Sequence, residues 1–100
     1  MKKEIFKIVA QTEPVFVASK KQENGQLAKC YIRLKELGGE YEDEYVCAVF
    51  GNLAQCKVHK DELVVAALQF RTHESNGIFY QDVVANEIVK LNYEQIKNGE

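Results

Sequence analysis

The chain has 100 residues, 46% of them hydrophobic, which suits one domain around one core and is too short for two domains. Its formal net charge of −2 excludes a protein that is basic as a whole, so any contact with nucleic-acid phosphates must come from local clusters of lysine and arginine. The longest apolar run, residues 63–68, is far too short to span a bilayer, and the first residues do not resemble a signal peptide. We therefore expect a cytoplasmic protein without membrane association.

Cys30, Cys47 and Cys56 are odd in number and widely spaced, which favours reduced thiols. Cys30 and Cys47 lie in apolar strand patterns, where we expect them to be buried. Cys56 and His59 have a C-x-x-H spacing that zinc can use, but no second ligand pair is visible, so structural packing is the preferred interpretation. Catalytic motifs are also not found. We expect no metal, no cofactor and no enzymatic activity.

Strand signals dominate the first half of the chain. A strand is predicted over residues 5–12. Apolar residues on both of its faces favour burial against another copy of the chain. Pro14 ends the strand, and a short apolar patch follows at residues 15–17. After the turn signal Asn24-Gly25, residues 27–37 alternate with a period of two. One face is apolar and carries Ala28, Cys30, Ile32 and Leu34. The other face carries Lys29, Tyr31, Arg33 and Lys35.

An acid-rich connection follows at residues 36–44, and residues 45–50 are interpreted as a strand buried on both faces. Asn52 is expected to cap a short helical turn. Two further strands are predicted over residues 63–72 and 78–91, joined by the hairpin signal Ser75-Asn76-Gly77. The pattern predicts one domain over residues 1–92 and a short polar tail over residues 93–100.

Five strands with a short helical turn between the third and the fourth are typical of an all-β, five-stranded OB-fold Greek-key barrel. Periodicity alone leaves other small barrels open as alternatives.

Two stretches resemble the bacterial single-stranded DNA-binding proteins. VFGNLAQ at residues 49–55 is similar to the end of that family's third strand, and residues 63–91, which close with DVVANEIVKL, resemble its fourth and fifth strands. The resemblance covers nearly the whole domain and extends to short relatives such as the primosomal OB protein. It implies an OB-fold and binding of single-stranded DNA, or of RNA, without sequence preference. It also implies a homodimer or homotetramer, accessory to replication, recombination or a mobile element.

The chain also departs from that family, which stacks bases on several Trp and Phe side chains. It contains no Trp; Glu44 and Ser75 stand near two of the family's Trp positions, and only Phe50 keeps a stacking position. The connection at residues 36–44, which contacts DNA in the family, is acidic here. The alternative function is an oligomerising protein-interaction module that has lost most nucleic-acid binding.

Eight residues are candidate ligands of single-stranded DNA because cations neutralise phosphates and rings stack on bases. For the lysines and arginines the alternative is a solvated strand face, and for Phe50 it is a place in the core. For His73 an ordinary surface residue is the preferred interpretation. Of the neighbours Phe79 and Tyr80 we expect one ring inside and one outside. The eight candidates are Lys29, Tyr31, Arg33, Lys35, Phe50, Arg71, His73 and Tyr80.

Overall fold

A computed structural model describes residues 1–91 of the chain. These residues form six β-strands and one short helix: β1 (Lys2–Gln11), β2 (Val15–Ala18), β3 (Gln26–Glu36), β4 (Glu44–Phe50), α1 (Asn52–Gln55), β5 (Leu63–Ser75) and β6 (Ile78–Lys90). The prediction of a mostly β chain with a single helical turn is confirmed. The predicted tail at residues 93–100 lies outside the described residues. Within residues 1–91, no helix has the length and apolarity that crossing a membrane requires.

The strands pair in a circuit that closes on itself. β1 is antiparallel to both β3 and β5, β3 pairs with β4, and β6 joins β5 on one side and β4, in parallel, on the other. Five strands therefore form a barrel-like sheet with one face turned inward. The sixth strand, β2, is an addition at the edge of β3, where the sequence indicated only an apolar patch.

The inward faces of the strands form a single core. The alternation predicted for residues 27–37 is confirmed, since all four apolar residues of that stripe are at most 3% exposed. Phe6, Ile8, Val64 and Leu68 meet them from β1 and β5 and are fully buried. Cys30 and Cys47 are buried as predicted, whereas Cys56 is exposed.

The prediction that β4 is buried on both faces is wrong. Cys47 and Val49 are fully buried, but Val46 is 60% exposed and Phe50 is 37% exposed. In a barrel made of one sheet, each strand has one inward and one outward face, so only alternate residues of β4 reach the core. A short apolar run does not reveal this difference, because a strand buried on both faces has the same pattern.

The short helix α1 begins after Gly51, which occupies the N-cap position with a φ of 69°. Asn52 is the first helical residue and makes no capping hydrogen bond, so its predicted capping role is wrong. Hydrogen bonds of the Gln11 side chain connect β1 to the backbone that follows α1. The Gln11 side-chain oxygen accepts a hydrogen bond from the Val58 N–H at 2.9 Å, and its amide nitrogen donates to the Cys56 carbonyl at 2.9 Å.

The hairpin between β5 and β6 forms at the predicted turn. Asn76 and Gly77 both have positive φ, 53° and 78°, as a two-residue type I′ turn requires. β5 extends three residues beyond its predicted end, to Ser75. Residues 70–82 are all exposed, so this part of the hairpin forms an arm beyond the core. Both Phe79 and Tyr80 are consequently exposed, which contradicts the prediction of one buried ring.

The buried thiol of Cys47 predicts how stability changes with pH. Burial, with the neighbouring Cys30 adding to it, raises the pKa of Cys47 from 9.0 to about 11. In the unfolded chain this thiol ionises near pH 9, whereas in the folded chain it stays neutral to about pH 11, so its contribution to stability is lost as pH rises through that window. We expect the free energy of unfolding of the unchanged protein, measured with urea, to fall between about pH 7.5 and about pH 10.5. The fall should be about 2 kcal/mol larger than in Cys47→Ala. Equal losses in the two proteins would contradict this.

Candidate nucleic-acid interface

A groove of about 410 Å³ crosses the outer surface where β3, β4 and the β5–β6 hairpin meet. Four of the eight candidate ligands line it: Lys29, Tyr31, Phe50 and Arg71. Its apolar floor is formed by Val46, Ala48 and Val84. Residues that are far apart in the sequence therefore share one concave surface.

The pairing register of the sheet explains why these side chains meet. Lys29 lies opposite Phe50, and Tyr31 lies opposite Ala48, so the outward faces of β3 and β4 are adjacent. Ala48 is in turn the partner of Val84 in the parallel pairing of β4 with β6. The hairpin then adds Arg71, which faces Asp82 across the β5–β6 pair.

Lys29 and two rings form a compact cluster in the groove. The Lys29 ammonium lies 5.0 Å from the centre of the Tyr31 ring and 5.6 Å from the centre of the Phe50 ring. Both distances allow a cation–π attraction. The rings remain accessible, with Tyr31 43% exposed and Phe50 37% exposed. A positive charge and two aromatic surfaces are thus available to one ligand.

Arg33 and Lys35 are not brought into this groove, although the sequence places them on the same face as Lys29. The Arg33 Nε lies 2.7 Å from a carboxylate oxygen of Glu44, so its charge is neutralised. The Lys35 ammonium donates to the Glu40 carbonyl at 3.4 Å and lines a separate pocket with Lys7. The acidic connection therefore engages the far end of the basic stripe.

His73 and Tyr80 lie together on the arm, farther along the hairpin. Their rings are stacked, with centres 5.0 Å apart and planes inclined by 13°. They line a second concave surface with Phe79, and the His73 Nδ1 lies 3.5 Å from an Asp82 carboxylate oxygen. The eight candidates thus divide into a groove set of four, an arm pair, and two cations occupied elsewhere.

No family model matches the chain, and no curated protein has a matching sequence. The geometry of the groove therefore carries the functional interpretation.

Sequence reasoning missed the groove floor and Asp82. The floor residues Val46 and Ala48 lie in the strand that the sequence predicts to be buried on both faces, because short apolar runs hide which face of a strand is exposed, and the sequence does not single out Val84. Asp82 could have been found from the Asn76-Gly77 turn. A two-residue turn fixes the hairpin register, and counting back from it places Asp82 opposite Arg71.

Cys56 and His59, the residues with the C-x-x-H spacing, lie in the connection between α1 and β5. Residues 1–91 contain no cluster of three or more side chains of the types that could hold a metal ion. The Cys56 thiol contacts the Asn52 carbonyl at 3.5 Å, and the His59 backbone N–H donates to the Glu62 carboxylate at 2.8 Å. Both contacts fit a structural role in the connection between α1 and β5.

Proposed function

We propose that this protein binds single-stranded DNA in the groove, without requiring a particular sequence. The observation that carries the proposal is the cluster of Lys29, Tyr31 and Phe50 in one groove with Arg71. Proteins that bind single strands combine cations along the backbone with rings on which bases stack, each stacked base being worth about 1–3 kcal/mol. RNA offers the same phosphates and bases and is the alternative ligand.

The barrel supports assigning the chain to the OB-fold type and likening it to the bacterial single-stranded DNA-binding proteins. In this assignment the five strands of the Greek-key barrel correspond to β1, β3, β4, β5 and β6. The helix α1 then lies between the third and the fourth of them. The groove crosses the strands that correspond to the second and third. The proposed role is in the cytoplasm, accessory to replication, recombination or a mobile element.

The occupied cations favour a second candidate function, an oligomerising protein-interaction module. Arg33 is paired with Glu44, which leaves one fewer charge for phosphates than the sequence suggests, and Lys35 donates to the Glu40 carbonyl outside the groove. We prefer DNA binding because the groove keeps two exposed rings beside its cations. Failure of the titration described below would favour the interaction module.

Self-association is part of the proposal, because the outer surface of the barrel carries a row of apolar side chains. Ile5, Val65 and Val89 are direct neighbours across β1, β5 and β6, and Ile5 and Val89 are 42% and 50% exposed. β1 pairs with β5 along residues 2–7 and with β3 from residue 6 onward. Only short stretches of its two edges are therefore free to pair with the same strand of another copy. Contact through the apolar face of the barrel is therefore the better route to a homodimer or homotetramer.

Binding of a labelled oligo-dT strand, followed by fluorescence anisotropy at several salt concentrations, tests the proposal. Among the described residues, Lys29 and Arg71 make no ion pair, so two phosphate contacts are expected from the groove. For single strands each contact contributes about 0.7 to the fall of log K with log salt, so we expect a slope of about −1.4. A slope near −2.8 would mean that Arg33 and Lys35 also contact phosphates. Absence of binding at low salt would reject the function.

Matched charge variants sharpen this titration. Lys29→Gln removes one unpaired cation, so we expect weaker binding and a slope reduced by about 0.7. The double variant Arg33→Gln with Glu44→Gln removes an ion pair without changing the net charge, and its affinity and slope should stay unchanged. The reverse ranking would place the binding surface at the far end of β3.

Phe50→Ala tests stacking. We expect it to weaken oligo-dT binding by about 1–3 kcal/mol, because one ring surface is lost. Since Phe50 is 37% exposed, its truncation should cost less stability than the roughly 3–5 kcal/mol of a core phenylalanine, as measured by urea unfolding. Val46→Ala is the control, since it trims the same groove without removing a ring. Equal affinities of the two variants would contradict the stacking role.

Light scattering at micromolar concentration tests self-association. We expect a mass of at least two chains, and we expect Val89→Glu to reduce it to the 11.4 kDa of one chain, because a carboxylate then interrupts the apolar row. Val46→Glu introduces the same charge on the groove side and should leave the mass unchanged. A mass near 11.4 kDa for the unchanged protein would rule the assembly out.

A further inference from the structure

Asp82 places a carboxylate in a groove whose other lining residues are cations, rings, apolar side chains and the amide of Gln81. It stands opposite Arg71 in the hairpin, and its side chain is 61% exposed. Within the described residues its one ion-pair neighbour is His73, whose Nδ1 lies 3.5 Å away and which is charged only when protonated. The Arg71 guanidinium is held instead by the Gln69 side-chain oxygen at 3.2 Å. When His73 is neutral, the Asp82 carboxylate in the groove lining has no ion-pair partner among the described residues.

A carboxylate in this position opposes a bound polyanion. If a phosphate passed beside Asp82, the two negative charges would repel each other and binding would be weakened. An ionised carboxylate only accepts hydrogen bonds, and its two oxygens can accept two parallel ones. Asp82 can therefore contribute to binding by facing hydrogen-bond donors, and within a DNA strand these are the N–H groups on the edges of the bases.

Guanine offers the donors that fit best. Its Watson–Crick edge carries N1–H and the N2 amino group side by side, so one carboxylate can accept a hydrogen bond from each. Thymine presents a single N3–H between two carbonyl oxygens, which repel a carboxylate. Cytosine and adenine present an amino group beside a ring nitrogen that is itself an acceptor. In a single strand these edges are free of a complementary base and are open to protein side chains.

We propose that Asp82 gives the groove a preference for guanine, its carboxylate accepting hydrogen bonds from N1–H and N2–H of a base held there. This rests on the proposed binding of single strands and adds base selection to it. Arg71 stands on the neighbouring strand of the same wall, where it can hold the phosphate of that nucleotide while Asp82 holds the base edge. Binding of other sequences continues through Lys29 and the rings, so guanine is favoured and not required.

Two labelled strands of equal length test the preference by anisotropy at one fixed salt concentration and pH. One is oligo-dT, and the other carries single guanines separated by thymines, in lithium chloride so that guanine quadruplexes do not form. Because a good bidentate pair discriminates by about 1–3 kcal/mol, we expect the guanine strand to bind at least about fivefold more tightly. Equal binding of both strands would overturn the inference and leave the proposed function intact. If neither strand binds, both are overturned.

Substitution of Asp82 and of the base assigns the preference to this carboxylate. Asp82→Asn should abolish the preference and make oligo-dT binding tighter, because a negative charge leaves the groove. Replacing guanine by hypoxanthine, which lacks the N2 amino group, should reduce the preference, whereas 7-deazaguanine keeps the same edge and should retain it. A preference that survives in Asp82→Asn, or that is lost with 7-deazaguanine, would overturn the role of Asp82; the latter result would point to an arginine on the opposite edge of the base.

Discussion

The pairing of β1 with two different strands is the constraint on which the rest of the structure depends. Residues 2–7 pair with β5 and residues 6–11 with β3, and the register shifts between Ile8 and Ala10. This irregularity lets one strand bridge both sides of the sheet, so that the sheet closes. Closure turns one face of each strand inward, where Phe6 and Ile8 are fully buried, and leaves the other face on the outer surface, where the proposed binding groove lies.

The proposed site for a polyanion lies on the outward face of a chain whose net charge is −2. Five of the 15 acidic residues lie at residues 36–44, where Glu44 neutralises Arg33. At the opposite end of β3, Lys29 is flanked by Tyr31 and Phe50 and makes no ion pair with a described residue. Charge is therefore separated along a single strand, and affinity should depend on this local arrangement and not on the net charge.

The sequence predicts those features that depend on local spacing. The period of two in β3 correctly separates the core stripe from the polar stripe, and the Asn76-Gly77 pair correctly locates the hairpin turn. It fails where the outcome depends on distant partners. The exposure of Val46 and Phe50 follows from the single-layer barrel, which the local pattern of β4 does not contain. Likewise, the pairing of Arg33 with Glu44 depends on the register of β3 with β4, which the sequence does not reveal. The stripe of four predicted ligands on β3 therefore has fewer charges available than its sequence indicates.

Mapping oligo-dT binding by NMR tests the central claim most directly, because it locates the contact surface without any substitution. If oligo-dT binds in this groove, the chemical-shift changes of the backbone amides are largest at Lys29, Tyr31 and Phe50. They extend to Arg71 on the hairpin. The chemical shifts of amides in the apolar row, such as that of Val89, should not change, because this row lies outside the groove. Largest shifts in the acidic connection at residues 40–44, or on the apolar row, would contradict the assignment of this groove as the binding surface.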